Sequence, residues 1–130
     1  VGAPSWKDTE AAGMKTVREI SKMSDPSGEK YRNLHYMRGV CSTFYMKEAM
    51  EIAAKKGAIT GASIKQAMET MVDFVPAGLE GVCTPSTWTG EDHRGTTAVG
   101  VYTSLYNGGD FQLNKQSTVN VPRRTEWLGW

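Results

Sequence analysis

Apolar residues recur at three- and four-residue steps through the first half of the chain. Over 8–23 they form a narrow stripe behind an acidic start, which predicts an amphipathic helix. A longer helix is predicted over 34–56, where the same spacing continues for six turns. Thr60 is a suitable N-cap for a third helix, which we expect to end at Pro76 and Gly78.

The pattern changes after residue 81 to runs rich in β-branched and aromatic residues. The segments 82–89 and 99–106 both have strand-like composition, although Pro85 limits the first to an edge or a bulge. Residues 107–110 predict a tight turn that leads into a short strand at 111–113. The second half therefore predicts β-hairpins and no central parallel sheet.

This inventory of elements leaves the three helices without an obvious partner. Amphipathic helices bury their apolar faces, and a parallel sheet normally covers them in an α/β layer arrangement. No continuous apolar strands flank the first two helices. Either the helices pack on one another with a hairpin as a lid, or the sheet that they cover comes from another stretch of polypeptide.

Composition narrows the functional classes without selecting one. The chain has 130 residues, 39% of them hydrophobic, and a net charge of +1. That balance gives no overall attraction to nucleic acid or to an anionic membrane. Two cysteines, Cys41 and Cys83, are too few for a disulfide framework. We expect free thiols, although a bridge would close a loop of about forty residues and add roughly 4 kcal/mol.

Candidate chemistry is sparse. His35 and His93 are the only histidines, and no nucleophile, acid–base pair or metal-ligand spacing accompanies them. We therefore expect no enzymatic activity, no cofactor and no metal. The run 92–95 predicts a structural turn, because Asp and Gly are turn formers. The basic pair Arg123 and Arg124 is expected to lie in a solvated tail.

The start of the second helix brings together His35, Tyr36 and Arg38. A helix N-terminus favours anions, and a tyrosine adds an aromatic face with a hydroxyl. A ligand contact is one interpretation of this group. Packing of Tyr36 against the chain that precedes the helix is the other, and the sequence leaves both open.

Several short motifs follow one another along the chain, namely Tyr36–Val40, Met46–Met50, Ile59–Met68, Gly78–Val82, Asp92–Gly95 and the tail Pro122–Gly129. Their order resembles that of a known family, the type I periplasmic binding proteins that serve branched-chain amino acid ABC transporters. The resemblance extends over nearly the whole chain. It corresponds to roughly the last third of such a receptor.

The resemblance implies an α/β fold, part of a type I periplasmic-binding-protein fold with three helices followed by a terminal β-hairpin region. Residues 1–75 would be the helical part of one lobe. Residues 76–130 would be the hairpin, the crossover at the hinge and the C-terminal tail. The chain would then be a C-terminal fragment, and the strands that its helices cover would precede it.

The implied function is that of the solute-binding component of an ABC importer for branched-chain amino acids or related amides and acids. The partners would be a small solute and the ABC permease, with no nucleic acid and with self-association of the fragment. Tyr36 falls where the family places an aromatic ligand contact, and the implied location is periplasmic or extracytoplasmic. The alternative is a self-standing small α+β interaction module without ligand binding.

Overall fold

The computed structural model describes residues 3–108 and 110–127 and contains three helices followed by one antiparallel hairpin. The predicted mixture of helices and strands, in that order, is confirmed. The elements are α1 (Met14–Ser24), α2 (Leu34–Lys55), α3 (Gly61–Met68), β1 (Ala98–Asn107), β2 (Asp110–Asn120) and a 3₁₀ turn (Thr125–Trp127).

Local capping explains where α2 and α3 begin. The side chain of Asn33 accepts a hydrogen bond from the Tyr36 amide at 3.1 Å, which satisfies one of the free amides of α2. At α3 the predicted N-cap is confirmed. The Thr60 hydroxyl accepts from the Ser63 amide at 3.1 Å, and the Ser63 hydroxyl accepts from the Thr60 amide at 2.8 Å.

The first helix is shorter than predicted, beginning at Met14 and not at residue 8. Asp8 forms a turn of its own, because its Oδ1 accepts from the amides of Glu10 and Ala11 at 2.8 and 2.9 Å. The amide of Gly13 then donates to the Glu80 carbonyl at 2.8 Å. That long-range bond fixes the chain just before α1.

The third helix also ends early, at Met68, whereas the sequence predicted an end near Pro76 and Gly78. The following residues are held by a different part of the chain. The Trp88 amide donates to the Met71 carbonyl at 3.3 Å, and Phe74 exchanges two backbone hydrogen bonds with Ser86. These bonds use backbone groups that a longer helix would need.

The core lies where α1 and α2 meet the turn that follows Pro76. Met14 and Val17 of α1 and Met37 of α2 are buried against Leu79 and Val82 of that turn. A second, smaller cluster joins α2 to α3 through Ala49 and Ala67, with Met71 beside them. The helices thus pack on one another and on an irregular turn.

A disulfide joins Cys41 of α2 to Cys83, so the expectation of free thiols is wrong. Both residues are buried in the main core, and their Cα atoms are 5.6 Å apart. Proximity of these two positions depends on how the turn packs on α2, which residue spacing does not encode. The bridge closes the long loop considered above and stabilises the fold by roughly 4 kcal/mol in the chain-entropy account.

The hairpin confirms the strand predicted at 99–106 and the turn predicted at 107–110, where Asn107 pairs with Asp110. Gly109 of that turn lies outside the described residues. The strand predicted at 111–113 is longer than expected, since β2 continues to Asn120. A bulge lies opposite the Val101–Tyr102 step.

The strand predicted over 82–89 is wrong. Only two isolated bridges form in this region, Phe74 with Ser86 and Thr87 with Gly95. Pro85 lacks an amide hydrogen, and residues 80–83 are in turns, so no continuous ladder can extend here. Within residues 3–108 and 110–127, β1 and β2 form the only sheet.

Substitution of two glycines tests this packing, because Gly13 lies in a crowded position before α1 and Gly39 lies in an open position within α2. A Cβ on Gly13 would lie 2.6 Å from the Leu79 carbonyl carbon, whereas a Cβ on Gly39 of α2 would meet nothing within 4 Å. We expect Gly39→Ala to raise the free energy of unfolding by up to about 1 kcal/mol through helix propensity. Gly13→Ala is expected to lower it, because two backbone segments must separate.

The measurement is urea unfolding of both variants, followed by tryptophan fluorescence under the same conditions. Equal effects of the two substitutions would contradict the close approach of Gly13 to the Leu79 backbone.

Candidate functional site

The predicted ligand contact, Tyr36, lies half-buried at the start of α2 and packs against the main core. The guanidinium carbon of Arg32 lies 4.7 Å from the centre of its ring, in a cation–π contact. Arg32 belongs to the segment that precedes α2. Tyr36 therefore packs against that segment, as the second interpretation of the sequence held.

Serines of α1 hold Arg32 in place. Its Nε donates to the Ser21 hydroxyl at 2.7 Å, and its Nη2 donates to the Ser24 hydroxyl at 2.9 Å. Ser21 is buried, so this contact ties the guanidinium to the body of the fold. The structure does not join His35 and Arg38 to this arrangement, and both side chains are exposed.

A cleft of about 750 Å³ lies between the base of the hairpin and the turn around residues 80–85. One wall is the inner face of β1 and β2, where Gly100, Tyr102 and Lys115 lie. Asp73 and Glu80 lie on the other wall. The lining combines apolar side chains with charges of both signs and several threonines, so the cleft is wide and of mixed polarity rather than a closed apolar pocket.

Asp92 joins the C-terminal tail to the turn at 92–95. Its carboxylate accepts from Arg94 at 2.8 Å and from Arg123 at 2.7 Å. Arg123 also donates to the carbonyls of Thr87 and Gly95. Arg123 and Arg124 are both exposed, as predicted for the tail, but Arg123 is also bound to the turn, which was not predicted. We call Asp92, Arg94 and Arg123 together the Asp92 clamp.

The clamp strongly lowers the pKa of Asp92 from its ordinary value of 3.8, mainly through hydrogen bonds from the Arg94 side chain and amide and then through Arg123. Asp92 itself is buried. The run 92–95 is thus a structural turn held by ion pairs and hydrogen bonds. Residues 128–130, which belong to the predicted tail, lie outside the described part of the chain.

His93 extends this turn toward α3. Its Nε2 lies 2.9 Å from a carboxylate oxygen of Glu69, which Lys65 also contacts. The hydrogen bond from Lys65, followed by that from His93, lowers the pKa of Glu69. The contact is exposed, and we assign it a structural role.

The sequence prediction missed the two best-defined polar arrangements of the fold. Arg32 was overlooked because its partners, Ser21 and Ser24, lie in α1, eight or more positions earlier in the chain. The pairing of Asp92 with Arg123 spans 31 residues and follows no motif. No local signal could have found the second pair.

Searches among protein-family models, curated proteins and solved structures find no match to this chain. In the described residues, no three metal-ligating side chains come close enough to hold a metal ion. None of the described helices is both long and apolar enough to cross a membrane.

The Asp92 clamp predicts a pH-dependent contribution to stability. Because the pKa of Asp92 is lower in the folded than in the unfolded chain, its contribution is present above about pH 4 and is lost as the pH falls through the folded value. We expect Asp92→Asn to lower the free energy of unfolding at neutral pH, with the difference from wild type shrinking in acid.

Urea unfolding at neutral pH and at about pH 3 measures that difference. Glu91→Gln is the matched control, since Glu91 is an exposed carboxylate one residue away. Equal effects of the two substitutions at neutral pH would contradict the clamp.

Proposed function

We propose that this chain is the C-terminal part of the solute-binding component of an ABC importer, with the type I periplasmic-binding-protein fold. The observation that carries the proposal is the outward face of the hairpin, which bears apolar side chains and has no partner among the described residues. The residues that form this outward face are Val99, Val101 and Val119.

These valines share one face because Val99 pairs directly with Val119 and Val101 lies two residues further along β1. They are between 43% and 49% exposed. A two-stranded hairpin is only marginally stable by itself, and apolar sheet faces are normally covered. A larger receptor whose other segments pack on this face accounts for the valines.

The disulfide supports the extracytoplasmic location that the proposal implies. Structural disulfides persist in oxidising compartments and are rare in the cytosol. The Cys41–Cys83 bridge is buried in the core, which makes it a structural element of the fold.

In the proposed receptor, α2 presents its first turn to the solute and Tyr36 is the contact that the resemblance assigns. Affinity comes from enclosing a small solute between two lobes, and the closed form is the one that the permease engages. Solutes of the proposed class are branched-chain amino acids and related amides or acids. The chain performs no chemistry on them.

The first test uses the protein encoded by the complete gene, screened calorimetrically against branched-chain amino acids, amides and aromatic acids. We expect one of these solutes to bind and Tyr36→Ala to weaken that binding by about 1–3 kcal/mol, because the ring lies at the site. Tyr31→Ala is the control, since Tyr31 is an aromatic residue that is 60% exposed.

A complete gene that encodes no second lobe, or a protein that binds none of these solutes, would contradict the proposal. An unchanged affinity in Tyr36→Ala would remove Tyr36 from the site and leave it as a packing residue.

The self-standing α+β interaction module is the second candidate. Two features of the core favour it. A disulfide cross-links the core, and every buried side-chain nitrogen or oxygen among the described residues has a hydrogen-bond partner. Such a core could fold without further segments. The two candidates differ in what they expect of the hairpin's outward face.

The 130-residue chain by itself distinguishes these candidates. If the outward face belongs against another segment, we expect the isolated chain to self-associate as concentration rises, because the exposed valines can pair with a second copy. Val101→Lys should reduce the association without unfolding the core. A monomer at high concentration in light scattering would favour the self-standing module.

A further inference from the structure

Positive charge is concentrated around the start of α2. Residues 30–38 contain Lys30, Arg32 and Arg38 and no aspartate or glutamate, in a chain whose net charge is only +1. His35 lies within the same stretch. This part of the surface therefore attracts anions more strongly than the chain as a whole does.

Arg32 is the cation in this stretch that the structure holds in a fixed position. Its hydrogen bonds go to the neutral hydroxyls of Ser21 and Ser24 and to the Ser21 carbonyl, and its guanidinium lies over the Tyr36 ring. Tyr36 in turn packs against the core. Because the ring and the serines fix the plane of the guanidinium, little further side-chain ordering is needed when it binds a ligand.

No carboxylate neutralises Arg32 within the part of the chain that the structure describes. Asp25 is the acidic residue whose pKa responds to Arg32, but its oxygens already accept from the Ser27 hydroxyl at 2.8 Å and the Lys30 amide at 2.9 Å. Those two contacts lower the pKa of Asp25 more than Arg32 does, with the Lys30 amide first. Asp25 and Arg32 form no ion pair.

The Nη1 group of Arg32 has no hydrogen-bond partner among residues 3–108 and 110–127. A guanidinium with one edge anchored and the other open binds planar oxyanions well, because its donors match the spacing of two carboxylate oxygens. At the start of α2, one first-turn amide is not free to bind such an anion. The Tyr36 amide is already bonded to the Asn33 side chain at 3.1 Å.

We propose that Arg32 binds the carboxylate of a small molecule, with Tyr36 as the platform that positions its guanidinium. The oxyanion site is a property of this chain and does not require the proposed function. Its assignment to the solute rests on that function. Arg32 is then a second contacting group beside Tyr36, and the solute is restricted to one that carries a carboxylate.

The test titrates the isotopically labelled 130-residue chain with sodium acetate and, at matched ionic strength, with sodium chloride, and follows the Arg32 Nε–H signal by NMR. We expect a saturable shift with acetate and only a small, linear one with chloride. In Arg32→Gln the acetate dissociation constant, read from the Tyr36 ring signals, should rise by about tenfold or more.

Arg38→Gln is the matched control, because it removes the same charge from a nearby exposed position in α2, and it should leave acetate binding within about twofold. Arg32→Lys keeps the charge but loses the planar pair of donors, so it should weaken binding nearly as much as Arg32→Gln. A linear response to both salts in the wild-type chain, or equal losses in Arg32→Gln and Arg38→Gln, would overturn the proposal.

These results are distinguishable from a failure of the proposed function. Saturable acetate binding together with no solute for the complete gene product leaves the oxyanion site standing and removes the receptor. Solute binding by the complete gene product without any acetate response at Arg32 supports the receptor and removes the oxyanion site.

Discussion

The covalent link between Cys41 and Cys83 connects the two halves of this fold. It fixes the middle of α2 to the turn that follows Pro76, and the buried residues Leu79 and Val82 of that turn complete the core against α1 and α2. The turn also accepts the hydrogen bond from Gly13 that precedes α1. Without this anchor, an irregular segment would have to hold three helices through its packing alone.

A second long-range constraint organises the remainder of the chain. Asp92 is buried, and burying a carboxylate is unfavourable unless charged or hydrogen-bonding partners surround it. Arg94 and Arg123 meet that requirement, and Arg123 also satisfies two backbone carbonyls of neighbouring segments. The position of the tail after β2, and hence the base of the hairpin, follows from this one carboxylate.

The polar surface groups lie in two regions, one beside the disulfide-linked helices and the other beside the hairpin that the Asp92 clamp holds. Arg32 and Tyr36 lie on the α1–α2 side. There, neutral serine hydroxyls bind Nε and Nη2 of Arg32, and Nη1 has no hydrogen-bond partner among the described residues. The cleft of about 750 Å³ stands on the hairpin side, where acidic and basic residues face each other across threonines. The outward face of the hairpin differs from both, since it is apolar and exposed, and it is the feature that a larger receptor would explain.

Sequence patterns predicted the elements of this fold better than their ends. The start of α3 followed from Thr60, and the hairpin turn followed from Asn107 and Gly108. Each depends on atoms only a few residues apart. The ends were wrong where distant segments intervened, as at Gly13 before α1 and at Met71 after α3. The strand predicted over 82–89 was wrong for the same reason, since the backbone groups of these residues bond to several different segments instead of one neighbouring strand.

The candidate site shows the same division. Tyr36 could be selected from its place at a predicted helix start, but its contact with Arg32 depends on how α1 lies beside the segment before α2. By itself the sequence determined the presence of three helices, the N-cap of α3, the hairpin and the small net charge, because these follow from near neighbours and composition. Only the tertiary structure decided the disulfide, the Asp92 clamp and the open guanidinium. Each of these includes at least one contact between residues eight or more positions apart, and such pairs meet only when the packing of the whole chain places them together.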